Sequence, residues 1–315
     1  MVLILSKVGL KWYNLAMKQL AIIGPTASGK SDLALSVAQK IGAYILSIDS
    51  LSIYKEIDIV AAKPSKEELA SVRHFGIDEL YANEYFSVDI FIDLYKKVVR
   101  TCQEDGKNLV IVGGTSFYLK SLLEGLSPLP CITQETQKAV DAKLADLERT
   151  YVHLKEIDPQ TMERIAPNDR YRIEKMLLIY EASKMTPSAW FAANPPKPVI
   201  TDLPIYNIDV ERELLRARIE KRTHKMVAAG LIDEVCALEQ KYTREPHAMG
   251  AIGIVEVLEF LDGKVRKEEM IQNIITHTAQ LAKRQQTFNK TQFEGVVSLP
   301  LEALEKRILE DLGTS

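Results

Sequence analysis

Leu20-Ala21-Ile22-Ile23-Gly24-Pro25-Thr26-Ala27-Ser28-Gly29-Lys30-Ser31 is the stretch on which the fold of this chain turns. Four consecutive apolar residues read as a buried strand, and the next eight match the G-x-x-x-x-G-K-[ST] phosphate loop. Ser31 to Ile41 then continues as a helix, with Leu33, Leu35, Val37, Ala38 and Ile41 apolar. The residue types have physical reasons. Gly24 and Gly29 let the backbone around Pro25, Thr26, Ala27 and Ser28 turn its N–H groups inward, toward phosphate oxygens. The helix beginning near Lys30 aims its positive dipole end at the same place. Lys30 adds a mobile point charge, and the Ser31 hydroxyl is a candidate Mg²⁺ ligand.

Outward from the loop, short apolar runs alternate with helical patterns, the signature of an α/β fold. Tyr44–Ile48, Leu109–Val112, Tyr206–Val210 and Val296–Leu299 read as further strands. The expected architecture is a parallel sheet of the P-loop NTPase type. The second strand ends in Asp49-Ser50 and the third in Gly113-Gly114-Thr115, at the carboxyl edge where α/β sites lie. Asp49 at that edge is a carboxylate for Mg²⁺ or a general base facing the loop. Between Pro128 and Pro204 strand signals fade. Helical segments, about 133–149, 159–165 and 169–183, are separated by proline-rich turns. The expected domains are an N-terminal extension (1–18), the first part of the core (19–130), a helical insertion (131–204), and the return to the core with C-terminal helices (205–315).

Lys+Arg 40 against Asp+Glu 43 leaves a net charge of −3, so any polyanion must be held by a local patch rather than a global field. Cys102, Cys131 and Cys236 lie far apart, without C-x-x-C spacing, which argues against a disulfide framework or zinc site and fits a reducing cytoplasm. The five histidines are scattered and read as non-ligands. No run reaches the length of a membrane span. The apolar run Val2–Leu5 is broken by Lys7 and Lys11 and no cleavage site follows it, so a signal peptide is not expected.

Several segments together, in order from about residue 19 to 290, resemble the tRNA dimethylallyltransferases, also called tRNA isopentenyltransferases. They are the loop Gly24–Ser31; Ser47-Ile48-Asp49-Ser50 with Ile53-Tyr54 and Asp58-Ile59; Ala62-Lys63-Pro64; and Val112-Gly113-Gly114-Thr115-Ser116-Phe117-Tyr118. Leu123–Pro130, Pro167-Asn168-Asp169, Arg218-Ile219, Arg222, Ile252-Gly253 and Leu281-Ala282-Lys283-Arg284-Gln285 continue the series. The resemblance implies a cytoplasmic enzyme, expected to be a monomer, that moves a prenyl group from dimethylallyl diphosphate to N6 of adenine-37 in the tRNA anticodon stem-loop. It places the diphosphate and Mg²⁺ on residues 24–31 with Arg222, and gives Asp49 and Thr115 to catalysis. Asp49, Ser50, Ser52, Tyr54, Lys63, Arg218, Lys221, Lys225, Lys283 and Arg284 are the implied tRNA contacts, and the insertion is implied to touch tRNA. The chain departs from the family pattern where Val60-Ala61 stand for a usual Gly-Thr and Ile254-Val255 for Tyr and a basic residue. Ala279 stands for a usual Arg and Phe288 for a usual Trp.

Between Glu211 and Lys225 six basic residues face three acidic ones. Arg218, Lys221, Arg222 and Lys225 follow i, i+3, i+4, i+7 spacing and share a helix face, a pattern that suits either an RNA backbone or a solvated surface. Lys283 and Arg284, with Lys290, form a second such cluster. Two other readings stay open: a small-molecule P-loop enzyme (a nucleotide-type kinase or a prenyltransferase using AMP), and a tRNA-binding relative with impaired catalysis. A kinase should carry an arginine-rich lid, and Arg149, Arg164, Arg170 and Arg172 in the insertion show no lid spacing.

Overall fold

The computed structural model describes residues 17–313; the expected extension up to residue 16 lies outside them. The described chain divides into two compact units, one running to Leu119 and resuming at Asp202, the other Lys120–Thr201. The second unit therefore begins earlier than the 131 expected from the proline-rich texture.

In the first unit, β1 (Gln19–Ile23), β2 (Ala43–Ser47), β3 (His74–Phe75), β4 (Asn108–Gly113), β5 (Ile205–Asp209) and β6 (Val297–Pro300) form one parallel sheet in the order β3-β2-β4-β1-β5-β6. Ile22 of β1 pairs with Val112 of β4 on one side and Tyr206 of β5 on the other. All-parallel strands are covered on both faces, which is why the central ones read as unbroken apolar runs; Leu20 to Ile23 and Leu109 to Ile111 are fully buried. The edge strand β3 is two residues long and carries no periodic signal, so the sequence did not show it.

Helices α1 (Lys30–Ile41), α2 (Lys66–Ser71) and α3 (Val88–Asp105) connect the first four strands, and α4 (Ser116–Glu124) follows β4. The second unit contains α5 (Gln134–Leu144), α6 (Leu147–Ile157), α7 (Pro159–Met162), α8 (Arg170–Ser183) and α9 (Pro187–Ala193). After β5 follow α10 (Arg212–Ala228), α11 (Leu231–Tyr242), α12 (Ile254–Leu261), the 26-residue α13 (Lys267–Gln292) and, beyond β6, α14 (Leu301–Asp311).

The helix expected over 133–149 is broken into α5 and α6. Asp146 takes the backbone N–H of Arg149 at 3.0 Å and restarts the helix as an N-cap, outcompeting the apolar period. The same device opens α5, α7, α8 and α9, through the side chains of Thr133, Asp158, Asp169 and Thr186. The unit closes on its own core, including Val140, Leu144, Leu154, Met162, Ile173 and Leu177. Among the described residues no helix is long and apolar enough to cross a membrane.

Candidate active site

The loop between β1 and α1 is shaped as its sequence requires. Ala27 takes a left-handed φ of 62° and Gly29 one of 93°, turning the backbone into a concavity at the start of α1. Gly29 is further constrained by α14, because a Cβ there would lie 2.9 Å from Leu301 Cδ2. Neighbouring helices brace the loop: Arg218 of α10 donates to Ser28 O at 3.2 Å and Arg222 to Thr26 Oγ1 at 3.3 Å. Ser28 is fully buried, and its Oγ is the buried side-chain polar atom left without a hydrogen-bond partner among the described residues. An orphaned hydroxyl inside a cradle of N–H groups fits a loop built to receive an oxygen-rich ligand.

Lys30 donates to Pro25 O at 2.7 Å. Burial pulls its ammonium down to about 8; Asp49 pulls it back up, and Arg222 pushes it further down. Burial likewise lowers Arg222, with Asp49 opposing. Three charges thus converge, two positive and one negative.

Asp49, at the end of β2, is fixed by its own turn. Its Oδ1 accepts the N–H groups of Leu51 at 2.9 Å and Ser52 at 3.2 Å, while Oδ2 has no hydrogen bond among the described residues. The glycines at the end of β4, Gly113 and Gly114, allow the approach that brings the two strand ends together. A Cβ on Gly113 would sit 2.7 Å from Ile48 Cγ1 and 3.0 Å from Asp49 N, and one on Gly114 would run into Gln285 Nε2. Thr115 Oγ1 accepts from Ser50 N at 3.3 Å.

A cavity of about 450 Å³ gathers Thr26, Lys30, Ser31, Asp49, Ser50, Ser52, Tyr54 and Arg222 along one lining. Its apolar wall includes Val60, Ile77, Phe86, Tyr118, Met226 and Ile252, so the aromatic Phe86 and Tyr118 serve as wall. Thr115 does not line it; its hydroxyl supports Ser50 instead.

Other expected residues lie elsewhere or do other work. Lys63 is not available to an RNA phosphate. Its side chain is 5% exposed and donates to Tyr54 O at 2.7 Å, Asp58 at 2.7 Å and Asp78 at 2.5 Å, clamping the segment that walls the cavity. Glu234 of α11 holds the same segment, accepting the N–H groups of Asp58, Ile59 and Val60. The four-residue basic stripe on α10 divides: Arg218 and Arg222 turn into the phosphate loop, while Lys221 and Lys225 stay exposed. Lys283 and Arg284 are exposed on α13, beside Phe288 in a shallow depression.

Gln285, at the end of the Leu281–Gln285 segment, has a role that only the fold reveals. Its Oε1 accepts the N–H of Thr26 at 2.8 Å and its Nε2 donates to Gly114 O at 3.0 Å. The signal was the neighbouring glycine, whose missing side chain marks where another group approaches.

No group of three or more His, Cys, Asp or Glu side chains is placed to hold a metal among the described residues. A Mg²⁺ ion bound mainly through a ligand's phosphate oxygens needs few protein ligands. Ser31, in the first turn of α1 and on the cavity lining, fits that role beside the orphaned Ser28 hydroxyl.

The sequence profile of the IPP transferase family matches residues 52–292. A protein named tRNA dimethylallyltransferase from Sulfurimonas denitrificans is 63% identical over 296 residues, covering 94% of this chain and all of that protein. Among solved structures, the tRNA isopentenylpyrophosphate transferase of Bacillus halodurans superposes with a TM-score of 0.69 at 28% identity, covering 94% of this chain and 95% of that one. A eukaryotic dimethylallyltransferase acting on tRNA shares the fold with a TM-score of 0.80 at 24% identity, over 93% of this chain and 78% of its own. The phosphate loop, the carboxylate at the end of the neighbouring strand and the partly apolar cavity they share thus occur in a chain that belongs to the IPP transferase family.

Proposed function

We propose that this enzyme transfers a dimethylallyl group from dimethylallyl diphosphate to N6 of adenine-37 in the anticodon loop of tRNAs reading codons that begin with U. One observation carries the reading. Lys30 and Arg222, which suit a diphosphate, line the same cavity as Asp49, which suits an amine proton, and apolar residues such as Val60, Phe86 and Met226 complete the lining. A hydrocarbon tail needs such a wall, and nucleotide hydrolysis does not.

In this reading the N6 lone pair attacks C1 of the donor as the C1–O bond breaks. The diphosphate leaves with the bonding electrons, and Asp49 takes the N6 proton at Oδ2. Lys30, Arg222 and the loop amides hold the leaving group, whose charge grows in the transition state. Bound Mg²⁺, held by Ser31 and the donor, would neutralise part of that charge. The two amides on Asp49 Oδ1 keep the carboxylate from rotating away. The adenine has to leave its stack to reach this depth. Ser50, Ser52 and Tyr54 line the cavity beside Asp49 and are the proposed contacts of the flipped base. Lys221, Lys225, Lys283 and Arg284, all exposed, are the proposed phosphate contacts of the RNA. The helical unit Lys120–Thr201 is proposed to contact the anticodon stem.

The test is mass spectrometry of nucleosides from tRNA incubated with protein, Mg²⁺ and dimethylallyl diphosphate, with ATP and AMP as competing donor and acceptor. N6-prenylated adenosine confined to the anticodon loop is the expected product. Prenylated AMP with unmodified tRNA, or phosphoryl transfer from ATP, would overturn the reading.

A further inference from the structure

The phosphate loop carries the donor in the reading above, and the end of β4 stands against the backbone of Asp49, whose carboxylate receives the proton. Two loops on different strands must therefore keep a fixed separation. Backbone pairing sets it only as far as Ile23 opposite Gly113, where the strands stop. Beyond that point the side-chain amide of Gln285, on α13, reaches both: its Oε1 takes Thr26 N–H at 2.8 Å and its Nε2 gives to Gly114 O at 3.0 Å. Gly114 leaves room for it, since any Cβ would strike Nε2. Gly113 in turn backs onto Ile48 and Asp49. The chain of contact runs from donor loop to Gln285, to the Gly113-Gly114 turn, to the base.

We propose that Gln285 is a positioning residue that sets the distance between the bound diphosphate and Asp49; the proposal rests on the prenyl-transfer reading. Its role differs from that of the other braces. Arg218 and Arg222 tie the loop to α10, and Ser28 N bonds Pro25 O within the loop itself, so the cradle keeps its shape without Gln285. What Gln285 supplies is the link to the other side of the cavity. Asn289, one turn further along α13, anchors the helix on that same edge, accepting from Ser116 at 2.6 Å and donating to Asn207 at 3.1 Å. The helix thus stays seated when Gln285 is changed, and only the amide bridge is lost.

This predicts a split between chemistry and binding. Gln285→Met keeps the length and volume of the side chain without its hydrogen bonds, and Gln285→Glu keeps the acceptor for Thr26 N–H but sets a second acceptor against Gly114 O. Both variants should lower kcat by about 100-fold, the scale of a small misplacement of reactants, while in Gln285→Met, which adds no charge beside the loop, Kd for inorganic pyrophosphate with Mg²⁺ stays within about threefold. The readouts are steady-state prenylation of tRNA, calorimetric titration with inorganic pyrophosphate, and thermal melting to show that both variants fold. A kcat near that of the unsubstituted protein would overturn the proposal. So would a fall in pyrophosphate affinity of Gln285→Met equal to its fall in kcat, which would make Gln285 a brace of the cradle alone. If the unsubstituted protein binds pyrophosphate but prenylates nothing, the functional reading itself fails and takes this inference with it.

Discussion

Lys30 makes the donor affinity of this protein a function of pH in a range where phosphate-binding lysines are ordinarily silent. Burial lowers its ammonium to about 8. About nine-tenths of the side chains are then charged at pH 7 and about one-tenth at pH 9, a roughly tenfold loss of the form that attracts a diphosphate. The KM for dimethylallyl diphosphate should rise by about that factor across the interval, with the step centred near 8. Two substitutions give the reasoning a sign. Asp49 raises Lys30 and Arg222 lowers it, so Asp49→Asn should move the step to lower pH and Arg222→Gln to higher pH, whatever each does to the absolute affinity. A bound diphosphate restores the charge, so binding above pH 8 should take up a proton, visible as a buffer-dependent enthalpy in calorimetry. In the free protein, where the Lys30 value is depressed below the unfolded 10.5, stability should rise as pH climbs from about 8 toward 10.5. Titrations from pH 6.5 to 9.5 decide the matter. A flat KM, or steps that move the same way in both variants, would refute the argument.

Three further outcomes are expected. Asp49→Asn should lower turnover by about 100-fold or more while donor and tRNA affinities stay within a few fold, measured by single-turnover prenylation and by direct binding. Reversing Lys221 and Lys225 to Glu should weaken tRNA binding across sequences and make its log–log salt dependence shallower by roughly two units; an unchanged slope would make that face of α10 merely solvated. Asp158 caps α7 and ties it to α9, accepting from Thr161 N at 3.2 Å, Thr161 Oγ1 at 2.8 Å and Ser188 N at 2.7 Å. Asp158→Ala should destabilise the helical unit by about 2–4 kcal/mol, read from Trp190 fluorescence during denaturation of a Trp12→Phe background. Burial pushes the Asp158 carboxyl up, but the bonds from Ser188 and Thr161 outweigh it and leave it below its ordinary value. The stability it contributes is therefore present above the usual aspartate range and is lost as pH falls through its lowered value, so the substitution should cost less in acid.

How much of this was legible in the sequence depends on how far apart the partners lie. Lys30, Ser31 and the loop glycines could be read because strand, loop and helix are contiguous, and local sterics set their conformation. Asp49 could be placed at the sheet edge because a strand precedes it directly. What sequence cannot supply is the identity of a partner far along the chain. Lys63 looked like a basic residue offered to RNA, yet Asp58, Asp78 and the carbonyl of Tyr54 saturate it and leave it 5% exposed. Arg218 looked like part of a surface stripe, yet it donates to a carbonyl 190 positions away. A charge announces its donors and says nothing of where the acceptors fold. Periodicity fails in the same way for β3, too short to have a period, and at Asp146, where one capping oxygen overrides a helical pattern.

The departures from the family pattern carry this limit further. Taken singly, Val60 for Gly and Ile254 for Tyr are losses, a missing phenol in one case and a blocked backbone in the other. In the fold both are buried and belong to one apolar cluster with Ile57, Leu231, Val235 and Val257. Val60 Cγ1 lies 3.4 Å from the position a Cβ on Gly253, the residue before Ile254, would take. Val60 thus packs beside the turn that leads into Ile254, within the same cluster. Close-packed interiors tolerate paired changes that conserve volume better than either change alone. The segment is pinned from outside the cluster as well, by Glu234 on three backbone N–H groups and by the Lys63 clamp, neither of which involves the exchanged side chains. The wall of the cavity at Val60 is therefore held by bonds the substitutions leave untouched, while Lys30, Asp49 and Arg222, which would do the chemistry, are contributed by the phosphate loop, the end of β2 and α10. Exchange in the wall alters what fits against it and leaves the charges in place.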